Sequence, residues 1–173
     1  ACKTAIVERD VAHLVFPDEV QELPAAADAP AGSPEGRIGR REIAPPADAL
    51  AAAVDATASS ARPVIIVGNG ARDDMAQVLA LAERIGAPVA TTFKAKGLIS
   101  DAHPLACGVL GRSGTPIASW FMNEADLLLT FGVSFSNHTG VSDYKPIVQV
   151  DFDPMALGRF HAVSVPVQGH VGV

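Results

Sequence analysis

The most regular pattern in the chain is a run of apolar β-branched residues, Val64-Ile65-Ile66-Val67, which follows Pro63 and precedes two glycines. A continuous apolar run of this length is typical of a strand that is buried on both faces of a sheet. The next stretch, Asp73 to Ile85, has apolar residues at helical spacing, with Gly86 as a stop signal and Pro88 beyond it. The pattern predicts a strand, a glycine turn and a helix, which together open a βαβ unit.

Strands and helices continue to alternate along the rest of the chain. The predicted strands are Pro88 to Thr92, Leu127 to Phe131, Ile147 to Val150 and Ala162 to Val165. The predicted helices are Ala47 to Ser60, one that follows a glycine-bearing segment (Gly108 to Pro116) and runs to about Ala125, and a short one from Pro154. Such alternation is typical of a parallel sheet with helices on both faces. The sequence therefore predicts an α/β fold with a doubly wound, mostly parallel sheet.

The beginning of the chain lacks this pattern. Cys2 to Arg9 has the spacing of the last turns of a helix, and Val11 to Phe16 predicts a short strand with no partner nearby in the sequence. From Leu23 onward the composition is rich in Ala, Pro, Gly and charged residues, which is typical of a linker. We expect the tail of a preceding domain at residues 1–20, a linker at 21–45 and a complete domain at 46–173.

Composition and charge narrow the classes of partner. The 173 residues are 49% hydrophobic and carry a formal net charge of −6, without a run of Lys or Arg that would neutralise nucleic acid or an anionic membrane. No apolar stretch is long enough to span a bilayer, and the first residues lack the plan of a signal peptide. We therefore expect a cytoplasmic protein. Cys2 and Cys107 have no metal-like spacing with the histidines, so no metal site is predicted.

The unusual residues follow the predicted strands, where the carboxyl ends of parallel strands share one edge of the sheet. They are Gly68, Gly70, Ala71 and Arg72 at the end of the first strand, Thr92, Lys94 and Lys96 at the end of the second, Gly132, Val133, Ser134, Phe135 and Ser136 after the strand Leu127 to Phe131, and Asp151, Phe152 and Asp153 after the strand Ile147 to Val150. Ligands of doubly wound folds bind at this edge. Free amide groups of the glycine turn, with Arg72 and the lysines, are expected to bind phosphate, and the aspartates a ribose or an adenine amine. The set predicts a nucleotide site.

The set departs from a standard NAD site and from a catalytic site. Asp73 replaces the third glycine of the dinucleotide fingerprint, and no acidic residue ends the second strand. A purely structural glycine turn therefore stays open as an alternative. No nucleophile elbow, Walker lysine or metal-ligand cluster is present, so no catalytic residue is predicted. His103 fits a turn before a proline, whereas His138 is a candidate for ligand contact.

Seven blocks of the sequence resemble the central domain of thiamine-diphosphate-dependent enzymes, such as pyruvate oxidase and acetolactate synthase. They are Gly68 to Arg72, Thr91 to Gly97, His103-Pro104-Leu105, Gly108 to Gly111, Gly114-Thr115, Ala125 to Leu129, and Val150 to Pro154 with Leu157-Gly158. Residues 1–20 resemble the end of the pyrimidine-binding domain of the same family. The resemblance implies a six-stranded, Rossmann-like sheet of the DHS-like nucleotide-binding kind.

In this family the central domain binds FAD, an ADP-type nucleotide or nothing. Thiamine diphosphate and magnesium are bound by the N- and C-terminal domains, so the resemblance implies that this chain is inactive alone. It also implies that the partners are the protein's own flanking domains and other copies, in a dimer or tetramer, with no nucleic acid and no membrane.

The family's cofactor contacts carry over residue by residue. The resemblance places Gly70, Ala71 and Arg72 at the pyrophosphate, Leu110, Gly111, Arg112, Gly114 and Thr115 along the middle of the cofactor, Gly132 to Ser136 at the ribityl or ribose side, and Asp151 with Asp153 at the adenosine. Flavin-binding members often carry an arginine where Ser134 stands and an acid where His170 stands. Three readings stay open: a nucleotide-cofactor domain, a structural spacer with an empty crevice, and an unrelated enzyme on the same sheet, such as an NAD-consuming deacylase.

Overall fold

The computed structural model describes residues 1–28 and 32–173, which form two compact units, Ala1–Arg41 and Glu42–Val173. The first unit contains helices α1 (Cys2–Glu8) and α2 (Asp18–Gln21). The guanidinium of Arg41 donates hydrogen bonds to the carbonyl oxygens of Ile6 and Val7 in the last turn of α1. These bonds satisfy carbonyl groups that the end of a helix leaves without intrahelical donors.

The strand predicted at Val11 to Phe16 is not formed, and that prediction was wrong. The segment has no regular secondary structure, and its apolar side chains are exposed. An extended segment needs a neighbouring strand to satisfy its backbone, and none pairs with this one among the described residues.

The second unit is built on one parallel sheet. Its elements in chain order are α3 (Ala47–Ser59), β1 (Pro63–Val67), α4 (Met75–Ile85), β2 (Val89–Thr91), β3 (Ala106–Val109), α5 (Pro116–Glu124), β4 (Leu127–Phe131), β5 (Ile147–Asp151) and β6 (Val165–Gln168). The six strands lie in the order β3-β2-β1-β4-β5-β6, and every neighbouring pair is parallel. The α/β fold with a six-stranded parallel sheet is confirmed.

The core lies on both faces of this sheet. Ile65 and Val67 of β1 pack with α3 and α4 on one face, whereas Val64 and Ile66 pack with α5 on the other. Because successive side chains of a strand point to opposite faces, the apolar run in β1 fills both layers. Helix α4 ends where predicted, with Gly86 in the left-handed conformation (φ 66°).

The sequence misplaced three elements. β3 was not predicted: it begins at Ala106 and ends at Val109, inside the glycine-bearing segment. The sheet register shifts beside it, where Gly108 has a φ of 93°, and a glycine at such an irregularity obscures a strand. β6 begins at Val165, not Ala162, and includes Pro166, which an edge strand tolerates. The short helix predicted from Pro154 is a turn instead.

The junction between α3 and β1 is held by one carboxylate. Asp126, just before β4, accepts hydrogen bonds from the hydroxyl of Ser60 and from the amides of Ala61 (2.9 Å) and Arg62 (3.0 Å). These donors, the Ser60 hydroxyl first, lower the pKa of the Asp126 carboxyl from its ordinary value of 3.8. The carboxylate therefore ties the start of β1 to the start of β4.

Replacing Asp126 by alanine is expected to lower the free energy of unfolding by about 1 kcal/mol at pH 7, because the site is exposed to water. Since the folded-state pKa is depressed, this contribution is present above pH 4 or so and is lost as the pH falls through the folded-state pKa. Urea unfolding of both proteins at neutral and acid pH measures it. A difference that stays constant down to the lowest pH would contradict an ionised acceptor.

No described helix has the length and apolar character that crossing a membrane requires.

Candidate functional site

A cleft of about 740 Å³ opens at the carboxyl edge of the sheet. The chain runs from β1 through β2 to β3 at one edge of the sheet and then returns to β4 on the other side of β1, so the strand order reverses between β1 and β4. The described residues that line the cleft are Asn69, Gly70, Thr92, Phe93, Lys94, Ser113, Gly132, Ser134, Ser136, His138 and Thr139. The cleft therefore lies where doubly wound folds bind ligands.

The loop after β4 forms one wall of the cleft. It reaches the loop after β3, where the carbonyl oxygen of His138 accepts a hydrogen bond from the amide of Arg112 (3.1 Å). Within the loop, the hydroxyls of Ser136 and Thr139 lie 3.2 Å apart and share a hydrogen bond. These bonds hold a row of hydroxyl groups along the cleft.

The base of the cleft is a contact between two glycine turns. The amide of Gly70 donates to the carbonyl oxygen of Gly132 (3.2 Å), and a Cβ on Gly68 would overlap that same oxygen. A Cβ on Gly132 would lie 2.5 Å from backbone atoms of Gly70. These glycines are required because two backbones approach more closely than side chains allow.

Four amides of the first glycine turn are already occupied. Those of Gly68, Gly70, Ala71 and Arg72 donate to the carbonyl oxygens of Phe131, Gly132, Gly68 and Asn69, at 2.9 to 3.3 Å. Helix α4 begins only at Met75, after a short 3₁₀ turn at Asn69–Ala71. The free amide groups that the sequence predicted at these positions are therefore not available to a phosphate.

Six of the predicted site residues line the cleft: Gly70, Thr92, Lys94, Gly132, Ser134 and Ser136. His138, a weaker candidate from the sequence, lines it as well. Sequence reasoning missed Asn69, Phe93, Ser113 and Thr139. All four lie within two residues of a predicted position or candidate, so proximity in the loops was the signal that was available for them.

The other predicted residues do not line the cleft. The side chains of Ala71, Leu110, Val133 and Phe135 are buried in the core. Thr115 is the N-cap of α5, where its hydroxyl accepts from the amide of Ala118 (3.4 Å) and donates to the Cys107 carbonyl oxygen (3.1 Å). The other predicted positions outside the cleft lining are Gly68, Arg72, Lys96, Gly111, Arg112, Gly114, Asp151, Phe152 and Asp153.

The predicted adenosine residues lie at the end of β5, two strands from β1. One carboxylate oxygen of Asp151 accepts from the amide of Asp153 (3.0 Å), and Asp153 in turn accepts from the amide of Met155 (2.9 Å). The ring of Phe152 is stacked on His170, with 5.4 Å between the centroids. Both carboxylates thus stabilise the turn after β5.

No group of three or more potential metal ligands is found among the residues that the structure describes. Cys107 is buried in the core, and burial raises the pKa of its thiol to about 11, so this side chain is a neutral thiol at physiological pH.

Comparison with known proteins agrees with this architecture. Residues 50–173 match the family described as "Thiamine pyrophosphate enzyme, central domain". The chain belongs to this family. The resemblance seen in the seven sequence blocks is therefore confirmed, and the domain has the sheet and strand-end loops described above.

Curated relatives include acetolactate synthases. A probable acetolactate synthase large subunit of Methanococcus aeolicus is 35% identical over 168 residues, which cover 91% of this chain and 28% of that protein. Acetolactate synthase isozyme 1 large subunit of Escherichia coli is 31% identical over 173 residues, 95% of this chain and 28% of that protein. The putative thiamine pyrophosphate-containing protein YdaP of Bacillus subtilis is 36% identical over 103 residues, 60% and 18% of the two chains. This chain spans less than a third of their lengths.

Proposed function

We infer that the unit Glu42–Val173 binds a nucleotide cofactor, FAD or an ADP-type nucleotide, in the cleft at the carboxyl edge of the sheet. The complete protein is an acetolactate synthase-like or pyruvate oxidase-like enzyme acting on a 2-oxo acid in the cytoplasm. Thiamine diphosphate and magnesium are held by its other domains and the enzyme assembles as a homo-oligomer. The carboligase reaction is favoured by the curated relatives that are named acetolactate synthases.

The cleft is the observation that supports this proposal. Its volume of about 740 Å³ is within the range of small-molecule and cofactor sites. Its lining combines hydroxyl groups, an amide side chain and the ring of Phe93, which is 46% exposed. Hydroxyl and amide groups hydrogen-bond phosphates and sugars, and an aromatic ring packs against a planar base or flavin.

The glycine contact favours a second candidate, a spacer and assembly domain with no nucleotide. Gly68, Gly70 and Gly132 are required by the meeting of two backbones alone. A glycine turn of this kind needs no ligand to explain it, so these glycines are not an argument for a nucleotide. The two candidate functions differ in whether a nucleotide occupies the cleft.

Mass spectrometry of the small molecules released on denaturing the purified protein tests the proposal. We expect FAD or an ADP-type nucleotide, and isothermal titration calorimetry of ligand-free protein is expected to give ADP and FAD affinities within about tenfold of each other, because this unit offers contacts to the shared ADP half. An affinity for FAD a hundredfold higher than that for ADP would show that the unit binds the flavin ring itself. Release and binding of neither ligand would favour the spacer.

A further inference from the structure

We propose that Lys94, assisted by His138, holds the phosphate of the ligand in this cleft, in place of the glycine turn and Arg72. The inference rests on the proposed function, because it assigns the anion subsite of the same cleft. It concerns ligands that carry a phosphate or pyrophosphate group.

The first reason concerns the groups that the sequence predicted for the phosphate after β1. The amides of Gly68, Gly70, Ala71 and Arg72 donate to backbone carbonyl oxygens, so these four have no proton left for a phosphate. The guanidinium of Arg72 lies 4.0 Å from the carboxylate of Asp73 and does not line the cleft. A pyrophosphate in the cleft therefore needs another cation.

The second reason is the charge of the lining. Among the described residues that line the cleft none carries a carboxylate, and Lys94 and His138 are the two with ionisable side chains. This contrasts with the net charge of −6 of the chain. A cleft whose lining has a lysine and no carboxylate attracts anions and does not repel a phosphate.

The third reason is that Lys94 is free to bind. No carboxylate among the residues that the structure describes lies within ion-pair distance of its ammonium group, whereas Lys96 in the same loop pairs with Asp101 (3.9 Å). Lys94 lies two residues after Thr92, whose amide donates a hydrogen bond to the carbonyl oxygen of Val67 (2.9 Å). Lys94 therefore starts from a rigid strand end and contributes an unpaired ammonium to the cleft.

Titration calorimetry with inorganic pyrophosphate and ADP, on the wild-type chain and on Lys94→Met, tests the inference. The variant is expected to bind both ligands about ten- to a hundredfold more weakly, because a charged hydrogen bond is lost. Lys96→Met is the matched control, since it removes the same charge two residues away, outside the cleft lining; it is expected to change either affinity by less than about threefold. His138→Gln is expected to weaken binding less than Lys94→Met.

The outcomes separate this inference from the proposed function. Pyrophosphate binding that depends on Lys94, without any gain from the nucleoside of ADP, would support the anion subsite and overturn the nucleotide cofactor. ADP binding that Lys94→Met leaves unchanged would overturn the inference but not the proposed cofactor function. If Arg72→Met weakens ADP binding instead, the phosphate is bound at the glycine turn and the inference is overturned. Equal losses in Lys94→Met and Lys96→Met would show a general charge effect and overturn it too. Binding of neither ligand would overturn both.

Discussion

Replacing Gly132 by alanine is expected to lower the free energy of unfolding by about 4 kcal/mol or more, a size that single substitutions reach only with a specific steric cause. The added Cβ would lie 2.5 Å from the Cα and carbonyl carbon of Gly70 and 2.6 Å from the amide nitrogen of Ala71. These are backbone atoms of a hydrogen-bonded turn, so no side-chain rotation relieves the overlap. Urea unfolding followed by circular dichroism measures the loss.

Gly140→Ala is the matched control for this substitution. Gly140 has a φ of 61° and Gly132 has a φ of 60°, but a Cβ on Gly140 would meet nothing within 4 Å. The control therefore carries only the cost of a left-handed alanine, about 1 kcal/mol. Equal losses for the two variants would show that backbone conformation, and not the contact between the turns, makes Gly132 necessary.

The local pattern of the sequence predicted the parts of the fold that local physics determines. β1 was readable because four apolar β-branched residues lie together, and α4 because its apolar spacing ends at Gly86. The prediction of a strand at Val11 to Phe16 failed because a strand needs a partner strand, and the local sequence does not show whether one is present. β3 and β6 were obscured by Gly108 and Pro166, residues that strands accept only at irregularities and edges.

The position of the cleft was predictable, but its lining was only partly so. Parallel strands bring their carboxyl ends together, and this placed Thr92, Lys94 and Ser134 correctly at one edge. Which side chains of a loop turn toward the core depends on contacts between distant segments. Val133 is buried in the core, between two cleft residues, because the loop after β4 packs over α5.

The glycine turn shows why a motif alone misleads about chemistry. The spacing of Gly68 and Gly70 is that of a phosphate-binding loop, and the sequence gives no sign that Gly132, more than sixty residues later, meets them. In the folded chain the amide of Gly70 donates to the carbonyl oxygen of Gly132, and the amides of Ala71 and Arg72 donate to carbonyl oxygens of their own turn. Whether Arg72 or Lys94 binds the phosphate therefore depends on a long-range contact.

Gln149 of β5 is the second position where a substitution is expected to have a large effect. Its side chain is completely buried (0% exposed), yet both ends of its amide are satisfied. Nε2 donates to the carbonyl oxygen of Ala156 (3.0 Å), and Oε1 accepts from the amide of Gly158 (2.9 Å). The side chain thus fastens the turn at residues 154–158 to β5.

Gln149→Met keeps the length of the side chain but removes both hydrogen bonds, so it is expected to cost about 2–3 kcal/mol of unfolding free energy. Thr130→Val on β4 is the matched control: Thr130 is also 0% exposed, and its hydroxyl makes one bond, to the carbonyl oxygen of Val148 (3.1 Å), so the expected loss is about 1 kcal/mol. Hydrogen exchange adds a local readout, because the Gly158 amide is expected to lose its protection in Gln149→Met while sheet amides keep theirs. A loss no greater than that of Thr130→Val, with Gly158 still protected, would mean that the turn is held by its own backbone and that Gln149 only fills space.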